Sequence, residues 1–219
     1  MKHELDVRPS PEAVAQAAAG YVAQRARAAV GQHGRFTFAV SGGHTPWAMF
    51  AELAALDVPW EHVTLYQVDE RIAPDGDPDR NLTHLRRSLG DAKAAVVAMP
   101  VNDADTGAAA SRYGAALPGQ FDLVHLGLGP DGHTASLVPG DPVLSVRDRL
   151  VAVTRPYQGH RRMTLTYPAF TRAEQLLWLV TGDDKKEPLG KLLAGDESIP
   201  AGRVEAAHSL VLADAAARP

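Results

Sequence analysis

The sequence predicts an α/β fold in which helices cover both faces of a parallel-rich sheet. Short apolar runs alternate with longer helix-forming segments along all 219 residues, the order that produces parallel strands joined by helices. Glycine-rich or charged turns follow several of these runs, as expected at the carboxyl ends of strands. No repeat or linker divides the chain, so we expect a single domain over residues 1–219.

The first predicted helix begins after Ser10, whose side chain suits the N-terminal capping position, with Pro11 in the first helical turn. Its Ala-rich sequence continues to about Val30, where Gly31 and Gly34 end it. Both boundaries therefore follow from local backbone preferences.

The remaining elements continue the alternation. Residues 35–40 are β-branched or aromatic at alternate positions and are predicted as a strand, after which the turn 41–46 leads into a helix ending near Leu56. Further strands are predicted at 63–68, 94–99, 121–126, 150–154, 163–166, 176–181 and 210–212. Further helices are predicted at 81–89, 106–117 and 184–193.

Composition excludes several classes of function. A net charge of -4 gives no basis for nucleic-acid binding, and the lack of cysteine excludes disulfides, thiolate metal ligands and a cysteine nucleophile. No apolar run is long enough to span a membrane, and residues 1–16 lack the pattern of a signal peptide. We therefore expect a cytoplasmic protein that is a monomer or a weak homo-oligomer.

The segment after the predicted strand 121–126 carries the most information about function. It contains glycines that permit a tight turn, namely Gly127, Gly129 and Gly132. Asp131 and His133 lie within the same turn, just beyond the carboxyl end of a strand, where α/β sheets bind ligands. A histidine in that position can accept a proton near neutral pH and serve as a general base.

The same segment contains G-x-G-x-x-G, so a dinucleotide site is the first alternative. Such a site needs a second strand ending in an acid, whereas the run 150–154 is followed by Arg155. Pro130 has no N–H to offer a pyrophosphate, and Asp131 is an anion. Dinucleotide binding is disfavoured, while a structural glycine turn with an incidental histidine stays open. Residues 134–136 are expected to open a helix.

Three further turns suggest phosphate binding. In 41–46, two glycines let backbone N–H groups face an anion at a helix N-terminus. In 69–71, Arg71 could bind phosphate bidentately while the two acids fix its guanidinium. In 182–186, an anion would offset the unfavourable place of Lys185 in a first helical turn. Each turn also has an interpretation without a ligand. These are a plain capped turn for 41–46, a surface ion pair for 69–71 and a solvated charged turn for 182–186.

These turns all follow predicted strands, and the carboxyl ends of parallel strands share one edge of a sheet. We therefore expect one site that holds a phosphate and one base. Near His133, only Asp131 could serve as a second metal ligand at a suitable spacing. Two ligands are too few for a metal site, so no metal is expected.

Five motifs in this order resemble the 6-phosphogluconolactonase family: SGGHTP (41–46), DERIAPDGDPDRN (69–81), LGLGPDGHTASLVPG (126–140), RRMTLTYPAF (161–170) and TGDDKKEPL (181–189). The resemblance extends over roughly residues 10–215. It implies a Rossmann-like fold shared with glucosamine-6-phosphate isomerases. It also implies hydrolysis of 6-phospho-D-glucono-1,5-lactone in the oxidative pentose phosphate pathway, without a cofactor.

The resemblance also implies roles for individual residues. His133 would be the general base that activates water, Asp131 would orient it, and Arg71 would bind the phosphate. Substrate or phosphate contacts are further implied for Ser41, Gly42, Gly43, Thr45, Asp69, Asn81, Gly129 and Lys185. Backbone N–H groups of the glycine-rich turn are expected to stabilise the oxyanion.

One departure from the family concerns a lysine that commonly binds phosphate before the R-x-T-L-T strand. The corresponding stretch here, 155–162, has no lysine. A buried phosphate dianion is seldom held by one cation, so we expect an arginine of this stretch to point into the site. Arg155 and Arg161 are favoured, because Arg162 adjoins the strand and could pair with an acid; His160 is a further candidate.

Two other functions stay open at this point. A sugar-phosphate isomerase or deaminase of the same superfamily would resemble this chain, but those enzymes have a glutamate where Val138 stands and an aromatic residue in place of Arg71. A non-catalytic sugar-phosphate sensor would need a partner module, for which the chain has no residues to spare.

Overall fold

A fully parallel sheet forms the centre of the structure, a computed structural model that describes residues 2–219. The strands along the chain are β1 (Glu4–Arg8), β2 (Phe36–Val40), β3 (Val63–Gln67), β4 (Asp69–Arg71), β5 (Ala95–Val97), β6 (Leu123–Gly127), β7 (Val151–Val153), β8 (Arg162–Leu165), β9 (Gln175–Val180) and β10 (His208–Asp214). The α-helices are α1 (Pro11–His33), α2 (His44–Ala54), α3 (Asn81–Leu89), α4 (Thr106–Ala116), α5 (Tyr167–Phe170) and α6 (Lys186–Ala194).

Seven strands form the central sheet in the order β1-β10-β9-β6-β2-β3-β5. Side chains of successive strand residues point to opposite faces. Phe38 and Leu123 pack with α1 and α2 on one face, whereas Ala39 and Val124 pack with α4 on the other. The predicted α/β class, with helices on both faces of a parallel sheet, is therefore confirmed. None of the helices within residues 2–219 is long and apolar enough to cross a membrane.

A second, three-stranded sheet has the order β4-β8-β7 and is antiparallel. The sequence predicts strands at 150–154 and 163–166 but not that they leave the central sheet. Val68 joins the two sheets: its N–H donates to Val40 at 2.9 Å, and its carbonyl accepts from Leu165 at 2.8 Å. Because Val68 follows β3, the small sheet lies at the carboxyl edge of the large one.

Helix α1 begins as predicted, with the Ser10 hydroxyl accepting a hydrogen bond from the N–H of Ala13. It ends three residues later than expected, at His33, because Gly34 adopts the left-handed conformation and its N–H closes on Val30. The sequence does not predict β1. This edge strand is largely exposed, and Leu5 is more than one-third accessible.

The helix expected from residues 134–136 is wrong. These residues form a tight turn instead, in which Ala135 has a φ of 51° and Leu137 donates to the carbonyl of Thr134 at 2.9 Å. The left-handed residue is incompatible with a continuing helix. The turn keeps the chain at the sheet edge.

A buried glutamate organises the junction between β4 and α3. Glu70 is fully buried, and its carboxylate accepts hydrogen bonds from the backbone N–H groups of Arg71, Asn81 and Leu82 at 2.8–2.9 Å. It also lies 3.0 Å from Arg80 Nε, whose side chain is 3% exposed. Because α3 has no capping side chain of its own, Glu70 satisfies the free N–H groups of its first turn.

This buried ion pair yields a stability prediction. Replacing Glu70 by Gln removes the buried partner of Arg80 and leaves only the largely exposed Asp75, 3.2 Å from Arg80 Nη1, so we expect the free energy of unfolding to fall by about 3–5 kcal/mol. Urea titration followed by circular dichroism measures the change. The double variant Glu70→Gln/Arg80→Met removes both charges and should recover part of the loss.

The exposed pair Glu187–Lys191, 2.7 Å apart along α6, supplies the matched control. Glu187→Gln should leave the urea midpoint essentially unchanged, because water and salt screen an exposed pair. A Glu70→Gln variant as stable as wild type would show that the buried pair does not hold the junction together.

Candidate active site

A cavity of about 240 Å³ opens at the carboxyl edge of the central sheet, where the loops after β2 and β6 meet the small sheet. Its lining comprises Ser41, Gly42, Asp69, Arg71, Asn81, Gly127, Leu128, Gly129, Pro130, His133, Ala135, Arg162 and Lys185. The turns after four separate apolar runs therefore converge, as their positions at strand ends predict.

An imidazole and a carboxylate are paired in the turn after β6. His133 Nδ1 lies 2.5 Å from Asp131 Oδ1, and the same oxygen accepts the backbone N–H of His133 at 3.1 Å. With Nδ1–H donating to the carboxylate, Nε2 is left as a proton acceptor. The imidazole lines the cavity and its side chain is 20% exposed. The pair thus has the arrangement of a general base with an orienting acid.

The protonation of Asp131 suits this arrangement. Partial burial opposes ionisation, but the His133 backbone hydrogen bond and the adjacent imidazole outweigh it and lower the pKa of Asp131. The carboxylate therefore stays ionised near neutral pH and accepts from Nδ1.

Glycine is required beside the imidazole. A Cβ added to Gly129 would lie 2.1 Å from His133 Nδ1. The N–H of Gly129 donates to the carbonyl of His133 at 2.8 Å, which closes the turn. This N–H is therefore already paired within the turn, so an oxyanion would need other N–H groups of the glycine-rich segment. The role of Gly129 is to let the histidine pack closely against the backbone.

Two arginines face each other across the small sheet. Arg71 on β4 is the register partner of Arg162 on β8, and both line the cavity. Like charges opposite one another on neighbouring strands are unfavourable. Neither guanidinium forms an ion pair with a carboxylate of residues 2–219. An anion in the cavity would offset this repulsion.

The environments of the two arginines differ. Arg71 Nη1 donates to Asn81 Oδ1 at 2.6 Å and to the carbonyl of Asp79 at 2.9 Å. The expectation that the acids 69 and 70 fix this guanidinium is therefore wrong; the asparagine and a carbonyl do so. Arg162 is 4% exposed, and its burial lowers its pKa. Its Nη2 donates to Gln158 at 3.2 Å.

Asp69 links the two sheets within the site. One of its oxygens accepts from the Ser136 hydroxyl at 2.5 Å, and the other accepts from Asn81 Nδ2 at 3.3 Å. Sequence reasoning missed Ser136, because it placed residues 134–136 in a helix. This buried chain joins the turn that carries His133 to the strand that carries Arg71.

The turn after β2 contributes only part of what was expected. Ser41 and Gly42 line the cavity, and a Cβ on Gly42 would lie 2.0 Å from Asn81 Oδ1. Gly43 does not reach the lining, and Thr45 instead pairs its hydroxyl with Thr181 at 2.8 Å. The buried His125 on β6 supports this turn, because its Nδ1 accepts the N–H of Ser41 at 3.3 Å.

Lys185 lines the cavity as expected, and its Nζ lies 2.6 Å from Asp184. Arg155 and Arg161 do not line it. They border a separate groove of about 500 Å³ beside α4 and β7. Adjacent residues of a strand point to opposite faces, so Arg162 enters the site while Arg161 is directed away. The expected order of preference is therefore wrong, although one arginine of the stretch does reach the site.

No group of three or more potential ligands suited to a metal ion occurs within the described chain, residues 2–219. A larger cavity of about 740 Å³ lies at the other edge of the central sheet, around 58–62 and 87–93. The residues that line it precede β3 and β5 in the chain. It therefore lies away from the turns at the carboxyl ends of the strands. The smaller cavity holds the paired base and the two facing arginines, and we take it as the candidate active site.

The close contact at Gly129 can be tested directly. In Gly129→Ala the added methyl group overlaps His133 Nδ1, so we expect the imidazole to leave Asp131 while the fold is retained. The loss of the far-downfield Nδ1–H proton signal in NMR measures this. Gly119→Ala, where a Cβ meets nothing within 4 Å, is the control and should leave the signal in place. An unchanged signal in Gly129→Ala contradicts the packing described here.

Comparisons with known proteins agree with this geometry. The sequence profile described as "Glucosamine-6-phosphate isomerases/6-phosphogluconolactonase" matches residues 9–212. A 6-phosphogluconolactonase of Nostoc sp. is 33% identical over 89% of this chain and 86% of its own length. One from Caulobacter vibrioides is 36% identical over 88% of this chain and 87% of its own.

Solved structures give the same result. The crystal structure of a 6-phosphogluconolactonase from Shewanella baltica superposes with a TM-score of 0.87 and 25% identity, covering 98% of both chains. Together with the site described above, these matches show that the chain belongs to the glucosamine-6-phosphate isomerase/6-phosphogluconolactonase family.

Proposed function

We propose that this protein hydrolyses 6-phospho-D-glucono-1,5-lactone to 6-phospho-D-gluconate in the oxidative pentose phosphate pathway. The observation that carries the proposal is the His133–Asp131 pair, which lines one cavity together with two facing arginines, Arg71 and Arg162. The pair supplies a base for water, and the arginines supply an anion site for the phosphate. The relatives named 6-phosphogluconolactonase support the same substrate.

The reaction follows from the free Nε2 of His133. This nitrogen takes a proton from water, and the resulting hydroxide attacks the lactone carbonyl at C1. The tetrahedral oxyanion then collapses, and the bond between C1 and the ring oxygen breaks. The imidazolium returns its proton to the departing ring oxygen. Asp131 stays ionised throughout and stabilises the transient imidazolium. One water is consumed, so no cofactor is needed.

Phosphate binding away from C1 positions the lactone for attack. Arg71 and the buried Arg162 would hold the phosphate oxygens by charged hydrogen bonds. Gly42, two residues before α2, lines the cavity near the N-terminus of that helix, and Lys185 adds a further cation at the rim. We propose that residues 1–219 act as one domain in this reaction.

Isomerase or deaminase activity is less well supported. Val138, which stands where those enzymes have a glutamate, is a buried apolar residue outside the cavity lining. A non-catalytic sensor would not need a base held by a carboxylate. Titration of acid released from freshly prepared lactone separates a lactonase from a sensor, and a parallel incubation of glucosamine 6-phosphate, analysed for isomerised or deaminated product, tests the remaining function.

We expect His133→Ala to lower kcat by a factor of about 10²–10⁴ with an unchanged melting temperature, because it removes the general base. Initial rates of acid release from fresh 6-phosphogluconolactone measure this, with spontaneous hydrolysis subtracted. His62→Ala, an exposed histidine at the opposite edge of the sheet, is the matched control. Wild-type turnover in His133→Ala would remove His133 from the base role.

The neighbouring arginines 161 and 162 allow a sharp test of phosphate binding. Arg162→Met should lower kcat/KM for the phosphorylated lactone by about 10- to 100-fold, since a charged hydrogen bond contributes about 1.5–3 kcal/mol. The unphosphorylated lactone should be hydrolysed as by wild type. Arg161→Met removes the same charge one residue away, where the side chain borders another groove, and should affect neither substrate. Equal losses on both substrates would make Arg162 structural.

A further inference from the structure

The segment between β7 and β8 ends in a sharply defined hairpin tip. Tyr157 and His160 pair as an isolated bridge, with the N–H of Tyr157 donating to His160 at 2.9 Å. Gln158 and Gly159 between them have φ values of 49° and 84°. Two consecutive left-handed residues are typical of a two-residue type I′ turn. The turn therefore fixes the direction in which Tyr157 leaves the backbone.

The tip is also attached to the rest of the site. His160 Nε2 lies 3.0 Å from Asp79 Oδ2, in the loop that precedes α3. Gln158 accepts from Arg162 Nη2 at 3.2 Å. These contacts hold the tip against both sides of the cavity, although Tyr157 itself is not part of the lining.

Tyr157 contacts both functional halves of the site. Its hydroxyl donates to Asp131 Oδ2 at 3.4 Å, the carboxylate oxygen that His133 does not use. Its ring meets the His133 imidazole edge to face, with centroids 5.7 Å apart. The guanidinium carbon of Arg162 lies 5.1 Å from the centroid of the same ring. One side chain thus touches the acid, the base and the buried cation.

We propose that Tyr157 is a positioning residue that holds the His133–Asp131 pair and the Arg162 guanidinium in register with each other. This inference rests on the proposed function. Tyr157 lies in the stretch 155–162, which lacks the family's lysine. It acts through His133, Asp131 and Arg162 rather than on the substrate itself.

The hydroxyl and the ring have separable effects. The Tyr157 hydroxyl limits rotation of the Asp131 carboxylate. It donates to Oδ2, whereas the hydrogen bonds from His133 reach only Oδ1. Asp131 in turn orients the imidazole, so this contact acts on kcat. The ring offers its face to a guanidinium that has no carboxylate partner within residues 2–219, a cation–π contact. This contact acts on phosphate binding.

Two variants separate these effects. Tyr157→Phe removes only the hydroxyl, and we expect kcat to fall about three- to tenfold on phosphorylated and unphosphorylated lactone alike, with KM unchanged. Tyr157→Ala removes the ring as well, and KM for the phosphorylated lactone alone should rise about two- to fivefold. Tyr21→Phe, on α1 and outside the cavity lining, is the matched control and should match wild type.

Two readouts do not depend on turnover. The downfield Nδ1–H proton signal of His133 should shift or broaden in Tyr157→Phe and stay unchanged in Tyr21→Phe. Calorimetric binding of 6-phosphogluconate should weaken in Tyr157→Ala but not in Tyr157→Phe. If wild type fails to hydrolyse the lactone, the proposed function fails, while these readouts still decide the role of Tyr157.

Wild-type kcat and an unchanged proton signal in Tyr157→Phe would overturn the role of the hydroxyl. Phosphogluconate affinity equal to wild type in Tyr157→Ala would overturn the role of the ring. A general loss of melting temperature in Tyr157→Ala, with equal losses on both substrates, would show a structural tyrosine and overturn the proposal.

Discussion

The carboxylate of Glu70 is the constraint on which the placement of Arg71 in the cavity depends. Fully buried and 3.0 Å from Arg80, it caps α3 from a neighbouring strand and so fixes where that helix begins. Asn81 stands at that first position, and its side chain holds both Asp69 and Arg71. A charge buried at considerable desolvation cost thus sets the geometry of the arginine that we propose binds the phosphate.

The His133–Asp131 pair and the facing arginines belong to different sheets. His133 lies on a turn of the large parallel sheet, whereas Arg162 lies on a strand of the small antiparallel sheet. Their relative placement depends on contacts between the sheets, chiefly Ser136 with Asp69 and the backbone bonds of Val68. The distance between His133 and the two arginines is therefore a property of the fold. Loop chemistry alone does not determine it.

Much of this arrangement can be predicted from sequence because glycine and apolar periodicity are local signals. The turns after β2 and β6 and the class of the sheet follow from them. The prediction that Arg155 or Arg161 enters the site was wrong. It was based on how near each arginine lies to the strand, whereas side-chain alternation directs Arg161 and Arg162 to opposite faces. Ser136 and the capping role of Glu70 depend on contacts between residues 11 to 67 positions apart, which no local pattern encodes.

The absent lysine illustrates how such a site tolerates substitution. A phosphate site needs compensating charge and donors, not a particular side chain, provided that the charge is directed by its surroundings. Here the small sheet brings two guanidinium groups into register, and burial lowers the pKa of Arg162. Burial without a carboxylate partner within residues 2–219 makes that charge unfavourable. Under the proposed function, binding of the phosphate would offset this cost, and the desolvated arginine would favour phosphorylated ligands over unphosphorylated ones.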